Sequence, residues 1–316
     1  MQTPIPLCDP HFHLWDLAER PNPNLGEVIP AYRANDYARD MGELPSELQR
    51  VCGVHVETVV GQTAGGAIVD TVDETRWVRG QLEPGEAEQP FGIVAFVNLG
   101  RDIAAAERTI EAHLATAGDR LRGVRMILNH HPNNPDLTWP QVEDGVFQRE
   151  AFRQGLALLE RHNLSFDLSC NPHQVASAGA VLRDFPGVRV VTNHLGFLHD
   201  GEDQTHEDLW RESMSALAGL PNVYMKLSMP WFARDGFHQD QAKETKIREI
   251  VRELIEGFGC NRCMFASNYP VDKLKGISIG YLYAKFLEWS TDLSDDERRA
   301  LFHGTAIKAY GAFPGS

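Results

Sequence analysis

Ile5-Pro6-Leu7-Cys8-Asp9-Pro10-His11-Phe12-His13 reads as a short strand that ends in two imidazoles. Residues two apart on a strand share a face, so His11 and His13 converge. An extended segment closing on two histidines opens either a metal or an acid–base site, or a strand end whose imidazoles only hydrogen-bond. The stretch matters for the fold because the same design recurs down the chain. Short runs rich in Val, Ile, Leu or Phe cover 5–10, 51–59, 91–97, 122–128, 164–170, 188–194, 222–228 and 262–267.

Segments of helical spacing lie between these runs. In 147–162, Phe147, Phe152, Leu156 and Leu159 make one face; in 243–258, Ile247, Ile250, Val251, Leu254 and Ile255 do the same. Ser294-Asp295-Asp296-Glu297 has the capping-box pattern that opens a last helix. Eight strand–helix units predict parallel strands with crossover helices, a (β/α)8 TIM-type barrel spanning 1–316 as a single domain. A doubly wound open sheet is the alternative. The Pro/Asn-rich segments 21–24 and 132–136 read as long loops around the barrel mouth.

Strand parity carries the reading toward function. Cys52, Val54 and Val56 alternate with Gly53, His55 and Glu57, while Val223, Met225 and Leu227 alternate with Tyr224, Lys226 and Ser228. Val190, Thr192 and His194 share a face, as do Asp167 and Ser169. His11, His13, His55, Glu57, Arg125, Asp167, His194, Lys226 and Asn268 all fall near strand C-termini and come from seven different strands. In a barrel of this kind the inner C-terminal strand ends line the active site. A shared polar pocket explains seven such ends better than chance does.

Composition narrows the function classes. The 316-residue chain carries 44 acidic and 30 basic residues, a net charge of −14, with no basic stripe. This argues against nucleic-acid or anionic-membrane partners and leaves a small-molecule substrate. No apolar run approaches membrane-spanning length, and the N-terminus lacks a basic-then-apolar leader pattern, so a cytoplasmic protein is expected. The five cysteines, Cys8, Cys52, Cys170, Cys260 and Cys263, read as reduced. Cys260 and Cys263 have no second such pair with which to form a zinc site. Pairing of copies through the outer helices, a homo-oligomer, is compatible with the architecture.

Asp9-Pro10-His11-Phe12-His13-Leu14-Trp15-Asp16 resembles the opening of the amidohydrolase-2 group, the branch of the amidohydrolase superfamily with fuconolactonase-like and pyrone-dicarboxylate-lactonase-like enzymes. Further matches follow in order: Arg122-Gly123-Val124-Arg125, the run 185–196 ending His194-Leu195-Gly196, the run 222–228, and the run 258–270 with Ser267-Asn268-Tyr269-Pro270. The resemblance implies a (β/α)8 hydrolase acting on a small, anionic lactone from a sugar acid or from aromatic breakdown. One departure falls at its centre. The family carries an aspartate, general base and metal ligand, where this chain has Asn268. Asp272, Glu57 and Asp167 are the candidates to take over proton transfer. Arg125 stands where binuclear relatives have a bridging lysine, so any metal is expected to be single.

The expected chemistry follows from these residues. His11, His13 and His194 either hold one Zn²⁺ or Mn²⁺ or donate directly to a carbonyl without metal. Catalysis is expected from these three with Asn268 and Asp272. Substrate contacts are expected from His55, Glu57, Arg125, Asp167 and Lys226. Arg125 either grips a carboxylate through its fork or forms a structural ion pair. Lys226 either neutralises an oxyanion or pairs with Asp167. Trp139 and Trp231 are candidates to wall the pocket, and Trp15 reads as packing. The rival functions are a decarboxylase or C–N hydrolase of the same superfamily and, because of Asn268, a non-catalytic binding barrel.

Overall fold

The computed structural model describes residues 3–20, 29–58, 71–83, 90–140, 142–201 and 204–313; the expected loop at 21–24 lies outside the described residues. Eight strands follow one another around a single sheet: β1 (Ile5–Phe12), β2 (Leu48–Val56), β3 (Phe91–Phe96), β4 (Leu121–Ile127), β5 (Ser165–Ser169), β6 (Val190–Thr192), β7 (Val223–Leu227) and β8 (Cys263–Phe265). Every neighbouring pair is parallel. Closure between the last strand and the first comes from two backbone bonds, Asn268 N–H to the His11 carbonyl at 2.8 Å and His13 N–H to the Tyr269 carbonyl at 2.7 Å. The fold is a (β/α)8 barrel. Among the described residues no helix is long and apolar enough to cross a membrane.

The helices are α1 (Ala34–Met41), α2 (Thr71–Leu82), α3 (Ile103–Ala117), α4 (Glu150–Arg161), α5 (Val175–Leu182), α6 (Gln204–Ala218), α7 (Pro230–Ala233), α8 (Gln241–Phe258), α9 (Val271–Leu274), α10 (Ile279–Trp289), α11 (Asp295–Arg299) and α12 (Thr305–Tyr310). α4 buries Phe152, Leu156 and Leu159; Phe147 sits in a 3₁₀ turn just before it. α8 buries the expected Ile247, Ile250, Val251, Leu254 and Ile255, and Asp240 caps it by accepting from the N–H groups of Ala242 and Lys243. The Ser294–Glu297 capping box opens α11.

Two layers of core result. The outer layer fills the space between strands and helices. The inner one is a distinct cluster of Cys8, Cys52, Val54, Val56, Val94, Val191 and Met264, plugged by Ala306, Ala309, Tyr310 and Phe313 from the end of the chain. Gly92 is glycine because a Cβ there would stand 2.6 Å from the Phe313 ring. This inner cluster fixes which strand positions face inward, since residues paired across parallel strands share a face. Arg125 pairs with Asp167 and Asp167 with Val191; Lys226 pairs with Met264. All therefore point into the barrel.

Candidate active site

The site begins where β1 breaks register. A shift between Asp9 and Phe12 resets the alternation. Phe12 turns outward and stacks on Tyr37 of α1, with ring centroids 4.1 Å apart, while His11 and His13 turn inward. Asp9 also faces outward. It accepts from the Tyr37 hydroxyl at 2.7 Å, the Ser267 hydroxyl at 2.6 Å and the Ser267 N–H at 2.9 Å, tying the turn after β8 to β1.

Beneath the mouth runs a continuous chain of hydrogen bonds. The Tyr310 hydroxyl donates to Asp167 at 2.9 Å, and Lys226 Nζ donates to Asp167 Oδ2 at 2.6 Å and to His11 Nδ1 at 3.2 Å. His11 Nε2 lies 3.1 Å from His13 Nε2, and His13 Nδ1–H donates to the Val56 carbonyl at 2.8 Å. The donors fix the tautomers. His13 carries its proton on Nδ1, and Lys226 occupies Nδ1 of His11, so the His11 proton sits on Nε2 and points at His13. Burial first, then the Lys226 charge, holds the His11 imidazole well below its ordinary pKa. Burial and the Arg125 charge do the same to His13 and His194. All three are neutral at pH 7.

His194 arrives by a different route. Val190 packs in the outer layer and Val191 in the inner one, so simple alternation would send His194 outward with Val190 and Thr192. Instead His194, Leu195, Gly196 and Phe197 all take positive φ, at 54°, 53°, 69° and 56°. This left-handed turn brings the ring inward to 4.7 Å from that of His11. The turn is held by the Trp210 indole N–H on the Leu195 carbonyl at 2.8 Å. Such backbone strain in non-glycine residues clusters at functional sites. His194 Nδ1 pairs with the Ser228 hydroxyl at 3.0 Å, and Nε2 has no protein partner among the described residues.

Asn268 also takes positive φ, 53°, which asparagine tolerates. Its Nδ2 donates to Asp272 Oδ2 at 2.8 Å, and the Trp231 indole N–H reaches the same oxygen at 3.2 Å. Asp272 is completely buried, and its Oδ1 has no partner among the described residues. Burial raises its pKa to about 8 against those two donors. Asp272 therefore meets the cavity through Asn268 and Trp231, both of which line it.

At the mouth, Arg125 Nε donates to Glu57 Oε1 at 2.6 Å and its Nη2 to the Glu57 carbonyl at 2.5 Å. Two of the five guanidinium N–H groups are thus spent on Glu57, and both Nη1 hydrogens and the second Nη2 hydrogen have no partner among the described residues. Glu57 is correspondingly held by Arg125 through both its carboxylate and its backbone carbonyl. Asp167, fully buried and held by Lys226 and Tyr310, is not among the residues lining the cavity, and Lys226 takes the ion-pair alternative. His55 requires a correction: it does not face inward. Val54 and Val56 belong to the inner cluster, so His55 points to the opposite face, edge-on to Phe12 at 5.7 Å.

Above these groups opens a cavity of about 360 Å³ lined by His13, Arg125, His194 and Asn268 at its base. Its walls include Trp15 after β1, Leu137 and Trp139 after β4, Phe197 after β6, and Trp231 and Phe232 on α7. The expectation that Trp139 and Trp231 wall a pocket matches this geometry. Trp15, read as packing, lines it too. Tyr310, Ser228 and Asp9 escaped the sequence reading as site residues, Tyr310 and Asp9 because neither ends a strand at the mouth and Ser228 because a lone hydroxyl at a strand end is a weak signal.

The chain matches the profile of the amidohydrolase family over residues 8–312. It belongs to that family. It is 31% identical to the uncharacterized protein y4mH of Sinorhizobium fredii, over 97% of this chain and 98% of that protein. It is 26% identical to the L-fucono-1,5-lactonase of Burkholderia ambifaria, over 96% of this chain and 94% of that one. Among solved structures, an amidohydrolase from Burkholderia multivorans with bound zinc superposes with a TM-score of 0.73 at 25% identity, covering 96% of this chain and 98% of that one. This amidohydrolase is accordingly an enzyme of hydrolase type, acting in lactone hydrolysis or a related reaction of the superfamily.

The family raises the question of a metal, and the hydrogen bonding of this amidohydrolase bears on it. A zinc site needs three or four convergent lone pairs. Here the His13 Nε2 lone pair receives the His11 N–H, and His11 offers no second lone pair because Lys226 takes Nδ1. Asn268 supplies an amide where relatives of this group carry a carboxylate. Among the described residues no group of three His, Cys, Asp or Glu is arranged to hold an ion. A Zn²⁺ or Mn²⁺ on His11, His13 and His194 would need the His11–His13 bond to open and the His11 proton to move, so that both Nε2 lone pairs could join that of His194.

Proposed function

We propose that this amidohydrolase opens the ring ester of a small lactone by direct addition of water. The observation that carries the reading is the pairing, at one cavity base, of a neutral imidazole with an uncommitted Nε2 and a guanidinium with an uncommitted Nη1–H. With Ser228 accepting from Nδ1–H, the His194 Nε2 lone pair faces the cavity. It takes a proton from the attacking water as the oxygen adds to the carbonyl carbon. Arg125 Nη1–H supports the oxyanion that forms. Collapse of the adduct breaks the ring C–O bond, and the departing alkoxide takes the proton back from His194, leaving a hydroxy acid. Lys226, His11 and His13 hold one another in place below. The lactonase relatives support the class of reaction, and the Asn268 amide, which neither ligates nor takes a proton as a carboxylate does, favours it over metal-dependent decarboxylation.

The test is proton release from a panel of lactones, followed with a pH indicator, before and after treatment with a chelator and then with added Zn²⁺ or Mn²⁺. Release that survives chelation is expected. Release lost on chelation and restored by metal would overturn the direct mechanism. No release from any lactone would overturn lactone hydrolysis itself.

A further inference from the structure

The cavity says more about its substrate than the reaction does. Its walls are a rigid aromatic set. His194 meets Phe197 edge-on at 5.3 Å, Phe197 meets Phe232 at 6.0 Å, and Phe232 meets Trp231 at 5.9 Å, all near perpendicular. On the other side His13 stacks over Trp15 at 6.4 Å. Aromatic faces arranged this way complement a flat apolar ring.

The polar groups around the walls are largely committed to one another. The Trp15 N–H donates to the Pro30 carbonyl at 2.8 Å and the Trp231 N–H to Asp272. Asn129 Nδ2 donates to Asn171 Oδ1 at 2.8 Å, and Asn171 Nδ2 to the Leu137 carbonyl at 2.7 Å. The Ser169 hydroxyl receives Asn193 Nδ2 at 3.0 Å. The His131 N–H donates to the Thr138 hydroxyl at 2.8 Å. Besides the Arg125 N–H groups and His194 Nε2 at the base, the lining side chains that still offer a polar atom to a ligand are few, Asp136 with its carboxylate and Asn268 with its Oδ1, and a carboxylate there repels an anion. A sugar lactone brings several hydroxyls, each with a donor and two lone pairs to satisfy. Burying them here would leave most unmatched.

Charge points the same way. The Arg125 guanidinium is compensated by Glu57 and the Lys226 ammonium by Asp167, so neither is left as a free cation for an anion. We infer that the substrate is a neutral lactone bearing a flat aromatic or comparably apolar group, seated between Trp139, Trp231 and Phe232, rather than a polyhydroxylated or dicarboxylate lactone. This rests on the hydrolase reading of the same cavity and names its substrate class.

Two measurements on the full-length protein separate the inference from that reading. The first is kcat/KM for dihydrocoumarin and γ-phenyl-γ-butyrolactone against δ-gluconolactone, L-fucono-1,5-lactone and 2-pyrone-4,6-dicarboxylate. The aryl lactones are expected to be favoured by at least ~10-fold, the size of effect that burying one aromatic ring supports. Equal or better turnover of the hydroxylated or dicarboxylate lactones overturns the inference and leaves lactone hydrolysis standing. The second is binding of hydrolytically inert lactams by calorimetry, 3,4-dihydroquinolin-2-one against gluconolactam. Tighter binding of the aryl lactam without turnover of any lactone upholds the substrate class and overturns the reaction; no preference between the lactams overturns the substrate class. In Trp139→Ala the ratio of kcat/KM for dihydrocoumarin to that for δ-valerolactone is expected to fall about 10-fold. An unchanged ratio in a folded variant counts against the aromatic seat.

Discussion

Two buried ion pairs flank the histidines, and they are built to opposite ends. Lys226–Asp167 lies below, with both side chains fully buried; Arg125–Glu57 lies at the mouth, at 5% and 1% exposure. Taken as charges they are alike. They differ in what is left over. Asp167 has both oxygens engaged by Lys226 and Tyr310, and Lys226 spends a further proton on His11. Arg125, which lines the cavity, keeps three N–H groups without a partner among the described residues. The lower pair is saturated and sets the tautomers above it. The upper pair is unsaturated on one side only, and that side is where a reacting oxygen would sit. The contrast teaches that a buried charge pair works as structure or as chemistry according to its last unpaired atom.

The largest effect is expected from breaking the lower pair. Lys226→Met leaves the Asp167 carboxylate buried beside Tyr310 alone, and removing one member of such a pair costs roughly 3–5 kcal/mol. Urea denaturation reads this directly. Adding Asp167→Asn removes the stranded charge while keeping an acceptor for Tyr310, and stability recovers for the most part though activity does not. If the double variant is as unstable as the single one, the lower pair is not the self-contained structural unit described above.

Breaking the upper pair should hurt catalysis more than folding. Arg125→Ala removes the Nη1–H offered to the oxyanion, a loss of about 10²–10³ in kcat for a single such donor. Arg125→Lys keeps charge for Glu57 but cannot supply Nε, Nη1 and Nη2 in one plane, so it restores stability better than rate. A lysine variant as active as wild type would mean that Arg125 serves only as a partner for Glu57.

The sequence made one half of this contrast easy to read and hid the other. Strand ends rich in His, Arg and Lys identify the barrel and most of the cavity base, because period-two alternation and polar C-termini are local signals. Lys226 and Asp167 are visible as inward residues for the same reason. Their saturation is not, because Tyr310 comes from a helix 143 residues further along the chain than Asp167. The parity of His55 and His194 fails for a related reason. His55 is read as inward because it shares a face with Glu57, although the valines either side of it fill the barrel. His194 reaches the site through a left-handed turn that no periodicity announces. Asn268 reads from sequence as a lost carboxylate; the structure adds that its amide holds a displaced one, Asp272.

That displaced carboxyl gives the next test, of smaller size. Asp272 has a folded pKa raised to about 8 from an ordinary 3.8. Between those values the folded protein holds a proton that the unfolded chain has released. Stability therefore falls as pH rises from about 4 to about 8, by roughly 1.4 kcal/mol per pH unit for one such group, and levels off above. Thermal unfolding from pH 5 to 9 should show this decline in the wild type and a shallower one in Asp272→Asn. Equal slopes would mean that Asp272 is ionised in the folded state, and so available as the base that its position beneath Asn268 disfavours.

The smallest effect is expected at His55, and its smallness is the point. The ring lies edge-on to Phe12, its polar contact is with the Leu14 backbone, and burial lowers its pKa to about 3. Replacing a buried polar group that makes one weak backbone contact by an apolar one of similar size is close to neutral. His55→Leu should then be as stable as wild type, with kcat/KM within about twofold, because a neutral ring behind Val54 and Val56 adds no field to the site. His55 is two residues from Glu57 on the same strand, so it also asks where the mouth pair ends. A large loss of kcat/KM in a stable His55→Leu protein would extend the upper pair outward through the barrel wall. A change in neither rate nor stability would confine it to Arg125 and Glu57.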